Sequence, residues 1–242
     1  MNDRNREYWE NGADYEEYVR NELKDSRKLK WTERIKSNLP LKSLKILDAG
    51  CGPGFFSCIL SEEGHDVTGI DRSEDMLKYA RENAEELKVS PEFLCMDINN
   101  LNFSDNTFDA IISRNVTWTL DDPETIYKEF YRKLKHGGVL IIYDANWHIP
   151  FYCPDMLERV KENEKWYYET FGKEFKVYDD DTSIFENLPL SNTVRPEWDV
   201  DALKKAGFHD VRIDRNAGEY LYSDWELKLY SETPLFEICA VK

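Results

Sequence analysis

The sequence predicts a doubly wound α/β fold, with a mostly parallel seven-stranded sheet, helices on both faces and a late antiparallel strand pair. Three observations predict it. Short apolar runs alternate with helical patterns from residue 44 to 144, a glycine-rich turn follows the first run, and the last two runs have no clear helix between them. Hydrophobic residues make up 41% of the 242 residues, which is ample for a packed core.

The predicted strands are short runs rich in Val, Ile, Leu and Phe. Because the first five are separated by helical patterns, we expect them to be parallel and buried on both faces. The last two are expected to pair with each other antiparallel. In chain order the predicted strands are 44–48, 66–70, 92–96, 108–113, 139–145, 209–215 and 233–241.

Helix-start and helix-stop residues mark the helices. Ser73 is the expected N-cap of the helix after the second strand, because its hydroxyl can accept a hydrogen bond from a free backbone N–H. Asp122 and Pro123 open a later helix, which we expect Gly137 and Gly138 to end. Further helices are predicted at 54–63 and 199–208.

Two segments lie outside the predicted sheet, and we interpret 1–242 as a single domain that includes both. Residues 1–40 carry aromatic and apolar positions at helical spacing and predict an N-terminal helical cap. Residues 145–198 directly follow the fifth strand, are rich in aromatic residues and predict a helix at 154–172. We expect 145–198 to be a lid over a substrate site, with a dimer interface or a second small core as the alternative.

Composition narrows the range of functions. The net charge of −16 would repel phosphates, so we expect no nucleic-acid partner. No apolar run approaches the roughly 20 residues of a membrane span, and the polar first residues are unlike a secretory signal. The five cysteines form no CxxC pair, which favours reduced thiols in a cytoplasmic protein and neither a disulfide framework nor a metal site.

The most informative motif is the glycine-rich turn after the first strand, DAGCGPG at 48–54. Glycines let the backbone approach a ligand closely, and such a turn lies where open α/β sheets bind ligands. Asp71 ends the second strand, at a spacing that lets a carboxylate hold both hydroxyls of a ribose. Asp48 and Asp97 would bring two more carboxylates to this edge of the sheet; helix capping or loop solvation is the alternative for each.

In this order the motifs resemble the class I, Rossmann-like methyltransferases that use S-adenosylmethionine, in particular the small-molecule branch of ubiquinone and menaquinone biosynthesis. The resemblance rests on ILDAGCGPGFFS, VTGIDRSEDML, CMDINNLNFSDNTFDAIISRNVTWTL and LKHGGVLIIYD. It covers about residues 8–145, is weak over the last forty residues and is nearly absent over 146–196. The rival is a nicotinamide or flavin oxidoreductase, whose G-x-G-x-x-G turn needs a third glycine where this chain has Phe55.

The resemblance implies S-adenosylmethionine as the cofactor and S-adenosylhomocysteine as its product. We expect no metal, because no grouping of Cys and His suggests one. It implies that Asp71 holds the ribose, that Asp97 receives the adenine amino group, and that Met76 and Ile98 pack near the adenine. The full predicted cofactor set is Asp48, Gly50, Cys51, Gly52, Asp71, Arg72, Met76, Asp97, Ile98 and Asn115.

Methyl transfer is an in-line displacement at an electrophilic methyl group, so the protein chiefly aligns the reactants and excludes water. A general base is needed only where the nucleophile must lose a proton, so the motifs locate the cofactor and leave the catalytic residue open. His148 is the candidate base because imidazole titrates near neutral pH, with a structural role as the alternative. The candidate substrate residues are Tyr15, Trp118, Trp147 and Tyr152; for the first two, ordinary core packing is the alternative.

The sequence thus predicts a methyltransferase with a small-molecule acceptor, as a monomer or homodimer. A protein- or RNA-modifying methyltransferase would need an open groove, basic for RNA. The third hypothesis is a non-catalytic S-adenosylmethionine-binding module. We interpret the acidic run Asp179–Asp181 as a solvated loop, with attraction of a cationic substrate as the alternative. Methylation at O, N, S or C is equally compatible with the sequence.

Overall fold

The computed structural model describes residues 13–40, 42–177 and 185–242; Asp179–Asp181 lie outside these ranges. Its strands are β1 (Lys45–Ala49), β2 (Asp66–Asp71), β3 (Glu92–Cys95), β4 (Phe108–Arg114), β5 (Leu134–Asp144), β6 (His209–Asp214) and β7 (Phe236–Val241). Its helices are α1 (Ala13–Lys24), α2 (Arg27–Ser37), α3 (Phe55–Glu62), α4 (Glu74–Leu87), α5 (Pro123–Lys133), α6 (Pro154–Phe171), α7 (Glu197–Ala206), α8 (Gly218–Leu221) and α9 (Asp224–Leu229).

The sheet has the strand order β3-β2-β1-β4-β5-β7-β6. The first five strands are parallel, and β7 runs antiparallel to both of its neighbours, β5 and β6. This arrangement confirms the predicted fold, including the late antiparallel pair. The strand order reverses between β1 and β4, and in such sheets the crevice at the carboxyl ends of these two strands binds ligands.

Both faces of the central strands are buried. Ile112 of β4 and Ile141 of β5 belong to a core cluster on the side of α1 to α3. The preceding residues, Ile111 and Leu140, belong to a second cluster on the side of α5 and α7. Adjacent residues of a pleated strand point to opposite faces, so a strand covered on both faces is continuously apolar. This is why the strands were recognisable as uninterrupted apolar runs.

Helices α1 and α2 pack on the same face of the sheet as α3. The fully buried ring of Trp31 meets Phe56 edge-on at 5.3 Å and Tyr143 edge-on at 4.9 Å, measured between ring centroids. Its indole N–H donates a hydrogen bond to Glu22 at 2.9 Å. This packing brings Tyr15, near the start of α1, to the glycine-rich turn after β1.

The prediction that Gly137 and Gly138 end a helix is wrong. Helix α5 ends at Lys133, and β5 begins at the next residue, five residues earlier than expected. The two glycines lie inside β5, where the N–H of Gly137 donates to the carbonyl of Lys242 at 2.8 Å and the N–H of Lys242 donates to the carbonyl of Gly138 at 2.9 Å. These two glycines therefore pair with the last residue of the sequence inside the sheet and do not end a helix.

The prediction of no clear helix between the last two strands is also wrong. Helices α8 and α9 lie there, and the last strand begins at Phe236 instead of residue 233. Each helix has at most six residues, so neither repeats its apolar face often enough to give a helical period. Ser223 and Glu226 form a capping box that starts α9.

Helix α6 lies within the insertion 145–198 and packs on the segment that includes α9 and the residues after it. The side-chain amide of Asn163 donates to the hydroxyl of Ser231 at 3.0 Å, and Arg159 pairs with Glu232 at 2.8 Å. No helix in the described part of the chain combines the length and apolar character that a membrane span requires.

Candidate functional site

The glycine-rich turn joins β1 to α3 and packs against two other parts of the chain. Gly50 has a φ of +75°, and a Cβ at this position would lie 2.5 Å from Cγ2 of Val116. Gly54 has a φ of +83°, and its Cβ would lie 2.9 Å from that of Ala80 on α4. Only glycine satisfies both the backbone conformation and the available space at these two positions.

Asp71 ends β2 and ties that strand to the turn. Its Oδ2 accepts a hydrogen bond from the backbone N–H of Gly52 at 2.9 Å, and its Oδ1 accepts one from the N–H of Ser73 at 2.9 Å. Burial raises the pKa of Asp71, and the backbone N–H bonds oppose this rise because they favour the ionised form. Each carboxylate oxygen has more than one lone pair, so both can still accept from a ligand.

A cleft of about 260 Å³ opens at the carboxyl ends of the strands. The part built by β1 to β3 and the residues that follow them is called the turn side: Gly50, Gly52, Ile70, Asp71, Arg72, Met76, Met96, Asp97 and Ile98. The aromatic rings that line the cleft are together called the aromatic side: Tyr15, Trp118, Trp147, His148, Phe185 and Tyr230. Arg114, Asn115, Val116, Thr119 and Val177 complete the lining.

Two polar residues lie at the end of β4, between the two sides. The guanidinium of Arg114 pairs with both carboxylate oxygens of Glu22, at 2.8 and 3.1 Å, and lies over the ring of Trp31. Asn115 has a left-handed φ of +57°. Within the described residues, neither Nε of Arg114 nor Oδ1 of Asn115 has a hydrogen-bond partner, although both atoms are buried. Both residues line the cleft, so a polar ligand there could supply an acceptor to the one and a donor to the other.

The aromatic side is formed by rings from separate parts of the chain. The rings of Trp118 and Phe185 lie 4.7 Å apart, and Trp147 meets Tyr230 edge-on at 5.6 Å. His148 is 3% exposed, and its ring lies 6.3 Å from that of Phe185. These rings offer a largely apolar surface to whatever lies beside the turn side.

Residues 47–142, from β1 into β5, match the methyltransferase domain family. Over this range the chain is similar to methyltransferases, among them proteins named as S-adenosylmethionine-dependent. The matched range contains the turn, Asp71, Asp97 and Asn115, so the family match and the turn side of the cleft coincide. The resemblance inferred from the sequence motifs is thereby confirmed.

Curated relatives match about half of this chain. Phosphoethanolamine N-methyltransferase 3 of Arabidopsis thaliana is 39% identical over 118 residues, which are 48% of this chain and 24% of the relative. The ubiquinone biosynthesis O-methyltransferase of Coxiella burnetii is 32% identical over 112 residues, 46% of this chain and 48% of the relative. The matches thus span about a quarter to a half of the relatives' length.

Solved structures extend the similarity of fold to nearly the whole chain. A SAM-dependent methyltransferase from Aquifex aeolicus aligns with a TM-score of 0.57 at 23% identity, over 93% of this chain and 97% of its own. Phosphoethanolamine N-methyltransferase 2 of Haemonchus contortus, in complex with S-adenosyl-L-methionine, aligns with a TM-score of 0.60 at 20% identity, over 93% of this chain and 60% of its own. These identities establish the fold alone.

The cleft brings together most of the predicted cofactor residues, but Asp48 and Cys51 line a second cavity of about 20 Å³ and not the cleft. Oδ2 of Asp48 accepts hydrogen bonds from the backbone N–H and the hydroxyl of Ser57, at 2.9 and 2.7 Å. Burial raises the pKa of Asp48 to about 7, and burial also raises that of the Cys51 thiol. The residues on the cleft wall are Gly50, Gly52, Asp71, Arg72, Met76, Asp97, Ile98 and Asn115.

Three of the four predicted substrate residues, and His148, line the aromatic side. Tyr152 does not: it is 43% exposed and its hydroxyl donates to the carbonyl of Glu186 at 2.9 Å. Its ring meets that of His148 edge-on at 5.7 Å, so it contacts the cleft through a neighbour. The substrate candidates on the wall are Tyr15, Trp118 and Trp147.

Sequence reasoning missed eight residues that line this cleft, among them Arg114 and Tyr230. Arg114 ends the apolar run FDAIISR, and a charge at the carboxyl end of a buried strand is a signal that could have identified it. Tyr230 follows α9, where the family motifs are weak, so no comparable signal marks it. Burial raises the pKa of its hydroxyl, which keeps it a neutral hydrogen-bonding group.

Proposed function

We propose that this chain transfers the methyl group of S-adenosylmethionine to a small-molecule acceptor held on the aromatic side of the cleft. The observation that carries the proposal is the continuity of one cleft from Asp71 on the turn side to Trp147 on the aromatic side. Cofactor and acceptor must lie side by side for an in-line displacement, and a continuous cleft allows this.

The turn side supplies partners for each part of the cofactor. Asp71 is proposed to accept hydrogen bonds from the ribose hydroxyls, and Asp97 one from the adenine amino group. Met76 and Ile98, both mostly buried, would pack against the adenine. The unpartnered donor of Arg114 and acceptor of Asn115 suit the carboxylate and ammonium of an amino-acid group. When bound, the cofactor supplies an electrophilic methyl group on a sulfonium.

The inference that the acceptor is a small molecule rests on the insertion 145–198. Trp147, His148, Val177 and Phe185 all belong to 145–198 and all line the cleft. We infer that this segment covers the acceptor as a lid and excludes water. His148 is the candidate base where the acceptor must lose a proton. Two relatives named above carry names of small-molecule methyltransferases, and the net charge of −16 disfavours RNA.

Isothermal titration calorimetry with S-adenosylhomocysteine tests cofactor binding. We expect one site per chain with micromolar affinity, about −8 kcal/mol. A heat with NAD and none with S-adenosylhomocysteine or S-adenosylmethionine would refute the cofactor assignment. Small phenols, amines, thiols and carboxylic acids are then screened for acceptor-dependent formation of S-adenosylhomocysteine.

Hydrogen exchange tests the lid. Amides of the insertion are expected to exchange rapidly with S-adenosylhomocysteine alone and to slow when an acceptor found in the screen is added. Equal exchange in the two states would argue against closure over the acceptor. If protein or RNA is methylated and no small molecule is, the acceptor is a macromolecule and the small-molecule proposal is wrong.

A further inference from the structure

The carboxylate of Asp144, at the end of β5, accepts hydrogen bonds from two residues of the aromatic side, Trp118 and Trp147. Asp144 is fully buried. Its Oδ1 accepts hydrogen bonds from the indole N–H of Trp147 at 3.0 Å and from the backbone N–H of Ala145 at 2.9 Å. Its Oδ2 accepts from the backbone N–H of Trp118 at 3.0 Å and from the hydroxyl of Thr117 at 2.6 Å. Two tryptophans that follow different strands therefore share one anchor.

Arg195, near the other end of the insertion, compensates the charge of this anchor. Its Nη1 donates to Oδ2 of Asp144 at 2.9 Å, and its Nε donates to Asp199 on α7 at 2.8 Å. All three side chains are buried. The side-chain amide of Asn146 also bonds both the N–H and the carbonyl of Arg195, each at 2.9 Å. The two ends of the insertion thus meet at the anchor of the tryptophans.

The bonds of Asp144 restrict the aromatic side in a way that hydrophobic packing does not. A ring held only by apolar contacts can slide or tilt, whereas an indole N–H that donates to a buried carboxylate has one orientation. Removal of a partner from a buried ion pair is unfavourable, so Arg195 in turn holds Asp144 in place.

We propose that Asp144 is a positioning residue for the acceptor, because it fixes the orientation of the Trp147 indole and the backbone position of Trp118. Asp144 is not one of the residues of the turn side. This inference rests on the proposed function, since it takes the aromatic side as the acceptor's part of the cleft.

Asp199 provides a matched control. It carries the same charge in the same buried cluster and bonds Arg195 and Tyr127. Within the described part of the chain, the hydrogen bonds of Asp199 go to Arg195 and Tyr127 and to neither tryptophan. A purely structural role would make Asp144→Asn and Asp199→Asn alike, whereas a positioning role separates them.

The test uses 19F NMR of the full chain labelled with 5-fluorotryptophan, with signals assigned through Trp118→Phe and Trp147→Phe. Asp144→Asn keeps the shape but places an NH₂ group where one oxygen accepts, so one tryptophan loses its acceptor. We expect it to shift or broaden at least one of the two signals, and Asp199→Asn to leave both in place. Both variants should bind S-adenosylhomocysteine within twofold of wild type.

Unchanged Trp118 and Trp147 signals in Asp144→Asn, or equal changes in Asp199→Asn, would overturn the proposal. If Asp144→Asn does not fold, Arg195→Lys replaces it, because lysine keeps the charge but cannot bridge both carboxylates. Displaced signals in that variant support the proposal and unchanged ones overturn it. Failure of the wild-type protein to bind S-adenosylhomocysteine would instead reject the proposed function, and the NMR comparison would still read the positions of the tryptophans.

Discussion

The carboxylate of Asp71 accepts a hydrogen bond from the backbone N–H of Gly52 at 2.9 Å, and this bond joins the end of β2 to the turn after β1. The same carboxylate lines the cleft. One side chain therefore shapes the turn and also offers oxygens to a ligand. Its loss is expected to weaken cofactor binding by both routes.

Substitution of Asp71 tests the ribose role. Asp71→Ala should weaken binding of S-adenosylhomocysteine by roughly 2–4 kcal/mol, because it removes charge-assisted hydrogen bonds. Asp71→Asn can still accept a hydrogen bond from Gly52 and should lose less binding free energy. Asp97→Ala should also lose less, because only one hydrogen bond to the cofactor is involved. Calorimetry measures the affinities, and circular dichroism verifies folding. Normal binding by a folded Asp71→Ala protein would contradict the assignment.

Substitution of Gly50 separates backbone strain from steric exclusion. Gly64 has a similar φ of +82°, but a Cβ there would meet nothing within 4 Å. Gly64→Ala should therefore cost only the left-handed conformation, about 1–2 kcal/mol of unfolding free energy. Gly50→Ala should cost more, because its Cβ meets Val116. Urea unfolding measures both, and Val116→Ala should restore part of the Gly50→Ala loss. No restoration would count against the steric explanation.

Asp48 should make stability depend on pH. Burial raises its folded pKa to about 7, above the value of about 3.9 for an unfolded aspartate. Between these values the folded chain holds a proton that the unfolded chain has released, so stability falls as the pH rises. Asp48→Asn does not titrate and should therefore gain on wild type from pH 5 to pH 7.5 in urea unfolding. A constant difference across this range would contradict the prediction.

Trp147 should matter for turnover and not for the cofactor. Trp147→Ala is expected to leave the affinity for S-adenosylhomocysteine within about twofold, a change under ~0.5 kcal/mol. It should sharply lower the turnover rate with the acceptor found by screening. The control is Phe171→Ala at the end of α6, where the side chain is 47% exposed and outside the cleft. The acceptor role of Trp147 fails if both variants turn over alike, or if Trp147→Ala loses the cofactor.

The sequence was most informative where one local rule dominates. Ser73 accepts the expected N-cap hydrogen bond, because a helix start needs only its own side chain and backbone. The prediction that Gly137 ends a helix was wrong, because its partner Lys242 is far away in the sequence and no local pattern reveals that pairing. Tyr230 reaches the cleft through tertiary packing of short helices, which periodicity does not detect.

The bonds between Asn146 and Arg195 close the insertion at its base. The entropy of closing a loop grows only slowly with its length, so residues can be added or deleted between these two positions at little cost to the sheet. A different insertion could therefore replace the proposed acceptor wall, while Asp71, the proposed ribose partner on β2, stays unchanged.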